Sequence, residues 1–260
     1  MGKLLYLKRV VLIFLVVYVG LGTFLFVSQN DLIYHPDRTD FSNCPAFSNS
    51  EKIKLGSTRM YFTKRSPDKV VIFYHGNAGR ACDRDYIESF LAKENYSSIF
   101  VEYSGYGETE NKPSMIGILK NVTDTIEFLK TLDFTEIIVS GESLGAGPAA
   151  YHASISKVSN VVLITAYNNF TDVAFSHYPV FPMKLLLHEN FTPDKWLVNY
   201  TGPISIILAE NDEIIPNKLG KKLYENLTSD LKKIFIVKNV GHNTIYGGNE
   251  FYLSLKEALK

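Results

Sequence analysis

Hydrophobic and polar positions fall into three regimes along the chain. Residues 10–27, VVLIFLVVYVGLGTFLFV, form one uninterrupted uncharged run. Residues 28–50 are polar and irregular, carry two prolines, and read as a linker. From residue 51 to 260, short apolar runs alternate with stretches whose apolar positions recur at helical spacing. The runs at 69–74, 98–103, 136–140, 160–164, 203–208 and 233–238 predict buried strands, and 52–55 with 58–63 predicts a hairpin around Gly56-Ser57. Helices are predicted over 83–94, from the N-cap Ser114 to about 132, over 145–157, up to about 227, and at about 250–260. Strict alternation of strand and helix implies an α/β domain, a mostly parallel sheet with helices on both faces. Residues 167–200 interrupt the alternation and contain prolines 179, 182 and 193. A stretch that long between two strands predicts a small cap over one edge of the sheet.

The first apolar run has the length of a membrane span. At 1.5 Å per residue, about 18 residues nearly cross a hydrocarbon core roughly 30 Å thick. A retained anchor over 10–27 is the expectation. A cleaved signal peptide is the alternative, although its apolar region is usually shorter, and a cut near Gly20-Leu21-Gly22 would leave an apolar start. MGKLLY lacks the Ser or Thr that N-myristoylation prefers at position 6. Lys3, Lys8 and Arg9 precede the run, against Arg38 soon after it. That asymmetry makes 1–9 a cytoplasmic flank of a single-pass protein, and puts the domain in the periplasm, lumen or exterior.

Composition changes the picture at few points. The chain has 260 residues, 46% of them hydrophobic, enough for one sizeable core. Lys plus Arg and Asp plus Glu number 27 each, so no basic excess points to nucleic acid. Cys44 and Cys82 allow one pairing; an oxidising compartment would permit it, but two thiols in one chain are more often unpaired. N-x-S/T sequons at Asn95, Asn121, Asn169, Asn190, Asn199 and Asn226 suggest a secretory route. No Cys, His and Asp set at metal-ligand spacing appears, so no metal and no organic cofactor is implied.

The chemistry gathers around VSGESLGAG, residues 139–147. A strand reversing sharply into a helix needs small residues where its limbs approach, which Gly141 and Gly145 supply, while Gly147 would let the helix lie close to neighbouring strands. Ser143 then stands exposed at the carboxyl end of the sheet. A serine hydroxyl needs a base, and the base needs orienting. His35 lies in the linker, His75 in a turn, His152 in a helix pattern, and His177 and His188 in the cap. His242, in NVGHN after the last strand, can reach the same sheet end, and Asp212 in AENDEIIP also follows a strand directly. Ser143, Asp212 and His242 thus stand in the order nucleophile, acid, base. For the oxyanion, the N–H of Leu144 follows the nucleophile, and Asn77 in HGNAG is the second candidate. Each residue also has an inert reading as a turn former, and Glu142 has no role beyond a tolerant elbow position.

The segments LIYHP, FYHGNAG, EYSGYG, GESLGAG, YPVFPMKLLLHENF, ENDEIIP and GHN together resemble the α/β-hydrolase superfamily, more closely its single-pass, bud-emergence-suppressor-like (BEM-type) branch. The resemblance covers residues 30–260 and implies an α/β-hydrolase fold with a catalytic triad at Ser143, Asp212 and His242 and oxyanion contacts from Asn77 and Leu144. The family's Asp-Tyr-Arg-Gly-Tyr-Gly reads Glu102-Tyr103-Ser104-Gly105-Tyr106-Gly107 here, which puts substrate preference in doubt. The leading expectation is a membrane-anchored serine hydrolase acting on a small-molecule or lipid-like acyl ester or thioester. A serine peptidase on the same fold, or a non-catalytic binding protein, are the alternatives, and the oligomeric state stays open.

Overall fold

A computed structural model describes residues 2–108 and 111–260. The elements run in the order α1 (Gly2–Ile33), β1 (Glu51–Leu55), β2 (Thr58–Thr63), β3 (Lys69–Tyr74), α2 (Asp85–Lys93), β4 (Ser97–Glu102), α3 (Met115–Leu129), β5 (Glu136–Glu142) and α4 (Ala146–Ile155). After them come β6 (Asn160–Ile164), α5 (Phe170–His177), α6 (Met183–Leu186), α7 (Pro193–Trp196), β7 (Ile204–Ala209), α8 (Asn217–Asn226), β8 (Lys232–Val237) and α9 (Asn249–Ala258). The strands form one eight-stranded sheet in the order β1-β2-β4-β3-β5-β6-β7-β8. β2 is antiparallel to β1 and β4, and every other pairing is parallel.

The period of two decides which side chain meets which helix layer. In β3, Ile72 and Tyr74 join the core under α3, α4 and α8, while Val71 and Phe73 join the core under α2 and α9. A strand covered on both faces is apolar at every position, which is why KVVIFY and NVVLI read as continuous runs. α3 starts where Ser114 caps it, its hydroxyl accepting from Gly117 N at 3.1 Å. The cap comprises the short helices α5, α6 and α7.

The N-terminal third departs from the sequence reading. α1 continues to Ile33, so the linker begins as helix, and its remainder is packed core rather than a loose connector. Tyr34, Phe41 and Phe47 are buried, Phe47 stacks on Tyr61 at 4.7 Å, and the Tyr61 hydroxyl donates to Phe41 O at 2.8 Å. Fully burying one such ring contributes roughly 1.5–3 kcal/mol, ample to hold an irregular segment down. Cys44 and Cys82 are joined in a disulfide with Cα atoms 5.8 Å apart, against the expectation of unpaired thiols. The segment is seated on the domain at Pro36, which bridges Gly79, and the pairing of Phe41 with Tyr61 brings Cys44 to Cys82. Of the six sequons, Asn95, Asn199 and Asn226 are exposed, whereas Asn121 is buried and bonded to Thr58 and Ser104.

Candidate active site

β5 delivers Ser143 at its carboxyl end, with φ of 51°, a left-handed conformation that a residue with a side chain adopts only under constraint. The turn around it is too tight for any Cβ: one added at Gly141 would lie 2.1 Å from Gly145 O, and one at Gly145 2.1 Å from Tyr74 O. The chain then passes through a helical turn, Ser143–Gly145, into α4. Gly147 serves a different purpose from the one expected. Its missing side chain makes room for the Phe191 ring of the cap, 2.7 Å from where a Cβ would stand, and not for a strand.

The loops after β7 and β8 bring Asp212 and His242 to the same edge. His242 Nε2 is 2.9 Å from Ser143 Oγ, and His242 Nδ1 is 2.8 Å from Asp212 Oδ2. Asp212 Oδ1 accepts from Ile214 N at 3.0 Å and Ile215 N at 2.7 Å, which turns the other oxygen toward the ring. The His242 and Asp212 side chains are 8% and 2% exposed, so little water competes for this pair. Neighbouring acids hold the loop rather than the ring. Glu210 accepts from Lys238 Nζ and Asn239 N, each at 2.9 Å, and Glu213 accepts from His242 N at 3.1 Å.

The other histidines make their contacts elsewhere, although His35 and His177 line the same cavity as Ser143. His75 donates from Nδ1 to Gly76 O at 2.7 Å, stacks on Tyr103, and sits 3.1 Å from Glu102. His152 is buried with its Nδ1 2.8 Å from the Tyr74 hydroxyl, and burial pushes its pKa down to about 3. His177 donates to Ile214 O at 2.9 Å, tying α5 to the loop that carries Asp212. His188 meets Phe26 edge-on, and the backbone N–H of His35 donates to Asn77 Oδ1 at 3.0 Å. The Asn77 side-chain oxygen is thus committed, also accepting from the Tyr106 hydroxyl at 3.1 Å. Asn77 and Leu144, whose backbone N–H groups are the candidate oxyanion donors, line one cavity with Ser143 and His242.

Glu142 is the residue that sequence reasoning missed. Buried beside Ser143, it accepts from Gly76 N at 2.8 Å, Arg84 Nε at 2.7 Å and the Tyr246 hydroxyl at 2.8 Å. Arg84 Nη2 also lies 2.5 Å away, and the Tyr86 hydroxyl 3.3 Å. Burial acts to raise its pKa, but the Arg84 charge, Tyr246 and the Gly76 N–H outweigh burial and hold the carboxyl below its usual range. One carboxylate thus fastens the loop after β3, the start of α2 and the loop beyond His242 to the elbow. The sequence carried only half of the signal: an acid closing an apolar strand must find a partner once buried, but no pattern says which residue that is. Ser104, which stands where the pattern it resembles has arginine, does not line the cavity; its hydroxyl donates to Ser57 at 2.8 Å and accepts from Asn121 at 2.9 Å.

The cavity encloses about 730 Å³. Its floor is Ser143 and His242; one wall is cap, including Val173, Met183 and Leu186, and the facing wall is α1, including Leu25, Gln29 and Leu32. A contribution from the N-terminal helix was not expected. Among the described residues, no group of three or more His, Cys, Asp or Glu side chains is placed to hold a metal ion.

No protein-family model matches the chain. An uncharacterized protein of Mycobacterium tuberculosis is 27% identical over 236 residues, covering 86% of this chain and 84% of that protein. Alpha/beta hydrolase domain-containing protein 17C of Xenopus tropicalis is 28% identical over 207 residues, 76% of this chain and 63% of that protein. Among solved structures, an esterase of Pyrococcus furiosus superposes with a TM-score of 0.68 at 17% identity, covering 87% of this chain and 97% of the other. With its sheet order and the elbow after β5, the chain has the α/β-hydrolase fold, and the names of its relatives support its place in the α/β-hydrolase superfamily.

Proposed function

We propose that the chain is a serine hydrolase that cleaves an acyl ester or thioester, held at a membrane by α1 as in the single-pass branch of the superfamily. The observation that carries the reading is the hydrogen-bonded chain Ser143–His242–Asp212 at the floor of an apolar cavity. A carboxylate only accepts, so with Asp212 ionised the His242 ring carries its proton on Nδ1 and turns a lone pair on Nε2 toward the Ser143 hydroxyl. Ser143 Oγ attacks the carbonyl carbon while Nε2 takes its proton. The oxyanion that forms lies against the N–H groups of Leu144 and Asn77. His242 returns the proton to the leaving oxygen or sulfur, and the acyl group stays on Ser143. Water, deprotonated by the same nitrogen, then releases the acid and restores the hydroxyl. The cavity walls favour an acyl chain, because Leu25, Leu32, Val173, Met183 and Leu186 offer apolar surface.

α1 is long and apolar enough to cross a bilayer, and its basic residues precede its apolar run. This supports a retained anchor with the domain on the non-cytoplasmic side. The disulfide is consistent with an oxidising compartment. The test of the function is labelling of the full chain by a fluorophosphonate, with turnover of a p-nitrophenyl ester. Ser143→Ala should lose labelling and at least about 10³-fold in kcat/KM while unfolding at the wild-type midpoint. Wild-type turnover by that variant sinks the assignment.

A further inference from the structure

The seam between α1 and the cap carries an inference about where substrate comes from. Tyr18 donates its hydroxyl to Val180 O at 2.8 Å and stacks on Phe181 with ring centroids 4.9 Å apart. One turn on, Gly22 faces the same ring, 3.7 Å from where its Cβ would stand. Further along, Gln29 donates to Leu186 O at 3.1 Å and accepts from His188 N at 2.9 Å and Glu189 N at 3.1 Å. The cap therefore runs alongside the apolar helix instead of sitting beyond its end. Tyr18 precedes the end of the apolar run at Val27 by nine residues, about 13 Å of helix at 1.5 Å per residue. If the run spans the bilayer, the cap segment beside Tyr18 stands at the same depth.

That segment is dressed for such a position. Val180 and Leu185 are 70% and 80% exposed among the described residues. The Tyr18 hydroxyl and both polar atoms of the Gln29 amide are paired along the seam, as a low-dielectric surround demands. Lys184 is the one charge in the segment, and its stem is long enough to carry the ammonium to a headgroup. Behind the lip, Leu25 and Leu32 of α1 and Met183 and Leu186 of the cap face the cavity that ends at Ser143.

We infer that the cavity is loaded sideways from the lipid leaflet: the substrate is an ester or thioester whose acyl chain lies in the bilayer and enters past Leu25 and Met183, between the Gly22–Phe181 and Gln29–Leu186 contacts. This rests on the reading of Ser143 as nucleophile and α1 as retained anchor. The helix is then part of the acyl site as well as a tether. A volume of 730 Å³ lies within the range of about 300–1,000 Å³ for sites that enclose one small ligand.

The experiment uses the full chain reconstituted in dioleoylphosphatidylcholine vesicles. Two substrates are compared, 4-methylumbelliferyl oleate dissolved in the bilayer and 4-methylumbelliferyl acetate in the water. Val180→Glu with Leu185→Glu should lower kcat/KM on the oleate at least tenfold and leave the acetate within twofold. Equal losses on both esters, or none on either, overturn the proposal. A second measurement is independent of turnover. Leu185→Cys carries the single free thiol, since Cys44 and Cys82 are bridged, and is labelled with an NBD fluorophore. Lipid bearing a nitroxide on its acyl chain should quench that label. Water-like emission, or a blue-shifted emission that the nitroxide leaves unquenched because a second copy covers the lip, overturns lateral loading. If neither ester turns over, the reading of Ser143 has failed, while the quenching still decides where the lip lies.

Discussion

Replacing Glu142 by glutamine keeps the shape of the hub beside Ser143 and removes its charge. In the native chain the Arg84 and Glu142 side chains are 12% and 4% exposed, with Nη2 and Oε1 2.5 Å apart. After the substitution Arg84 keeps only Asp83, 3.9 Å away and itself half-exposed, as a counter-charge. Breaking a buried pair by removing one partner costs about 3–5 kcal/mol, and the surviving Asp83 contact places this case near 3 kcal/mol. Removing both charges should cost less than the separate losses combined, because no unpaired ion is then left inside. Guanidinium unfolding of the detergent-solubilised chain at pH 7 would compare wild type, Glu142→Gln, Arg84→Met and the double variant. A loss below about 0.5 kcal/mol for Glu142→Gln, or strict additivity in the double variant, refutes the hub. The pH dependence has a fixed sign. Because the folded state holds Glu142 below its usual range, its contribution is present above the unfolded pKa and fades as pH falls through the folded one.

Asp212→Asn should cut kcat by up to about 10⁴-fold, because the amide can donate to the ring and stabilise the wrong tautomer. Glu210→Gln and Glu213→Gln keep acceptors for Asn239 N and His242 N and should each lose less than about tenfold; an order in which Asp212→Asn is mildest removes Asp212 from the site. His152 titrates at about 3 when folded against about 6.5 unfolded, so the unfolded chain binds the extra proton between those values. Stability should therefore fall by about 1.4 kcal/mol per pH unit below pH 6.5 from this group alone, and His152→Gln should show a correspondingly flatter acid slope in unfolding titrations. Reducing the disulfide opens a link across a sequence separation of 38, and chain-entropy arithmetic gives a loss of about 4 kcal/mol. Unfolding midpoints with and without dithiothreitol measure it, and coincident midpoints would mean that the packing of Phe41 and Phe47 alone holds the linker.

The strands most legible in the sequence were those buried on both faces. The expected runs at 69–74 and 160–164 coincide with β3 and β6, since continuous β-branched and aromatic residues leave no ambiguity about their extent. β5 runs past its expected end at 140 to Glu142, because Gly141 and Glu142 lack strand character yet pair with β6. Ser143, Asp212 and His242 could be singled out because each follows a strand at the same end of a parallel sheet, which topology alone brings together. Glu142 could not. Its partners Gly76, Arg84 and Tyr246 lie on three separate loops, and nothing periodic links them. The linker was misread for a related reason: Tyr34, Phe41 and Phe47 follow no helical or strand spacing, so pattern reading sees polarity where the fold finds isolated core anchors.

The N-terminal helix hides its role in a different way. An amphipathic helix announces its buried face by a stripe of apolar residues, but α1 is apolar all round from Val10 to Val27. Such a helix reads the same whether every face meets lipid or one face meets protein. Its end deviates, where Ser28, Gln29, Asn30 and Asp31 are easy to dismiss as the start of the linker. In the structure both polar atoms of that amide are used, against Leu186, His188 and Glu189, roughly 160 residues away in sequence. A buried amide that donates to Phe26 O within its own helix and makes three further bonds to the cap fixes the rotation of the helix and so decides which residues, Leu25 and Leu32, turn toward the cavity. A polar residue just beyond the apolar run therefore sets the register between the helix and the site.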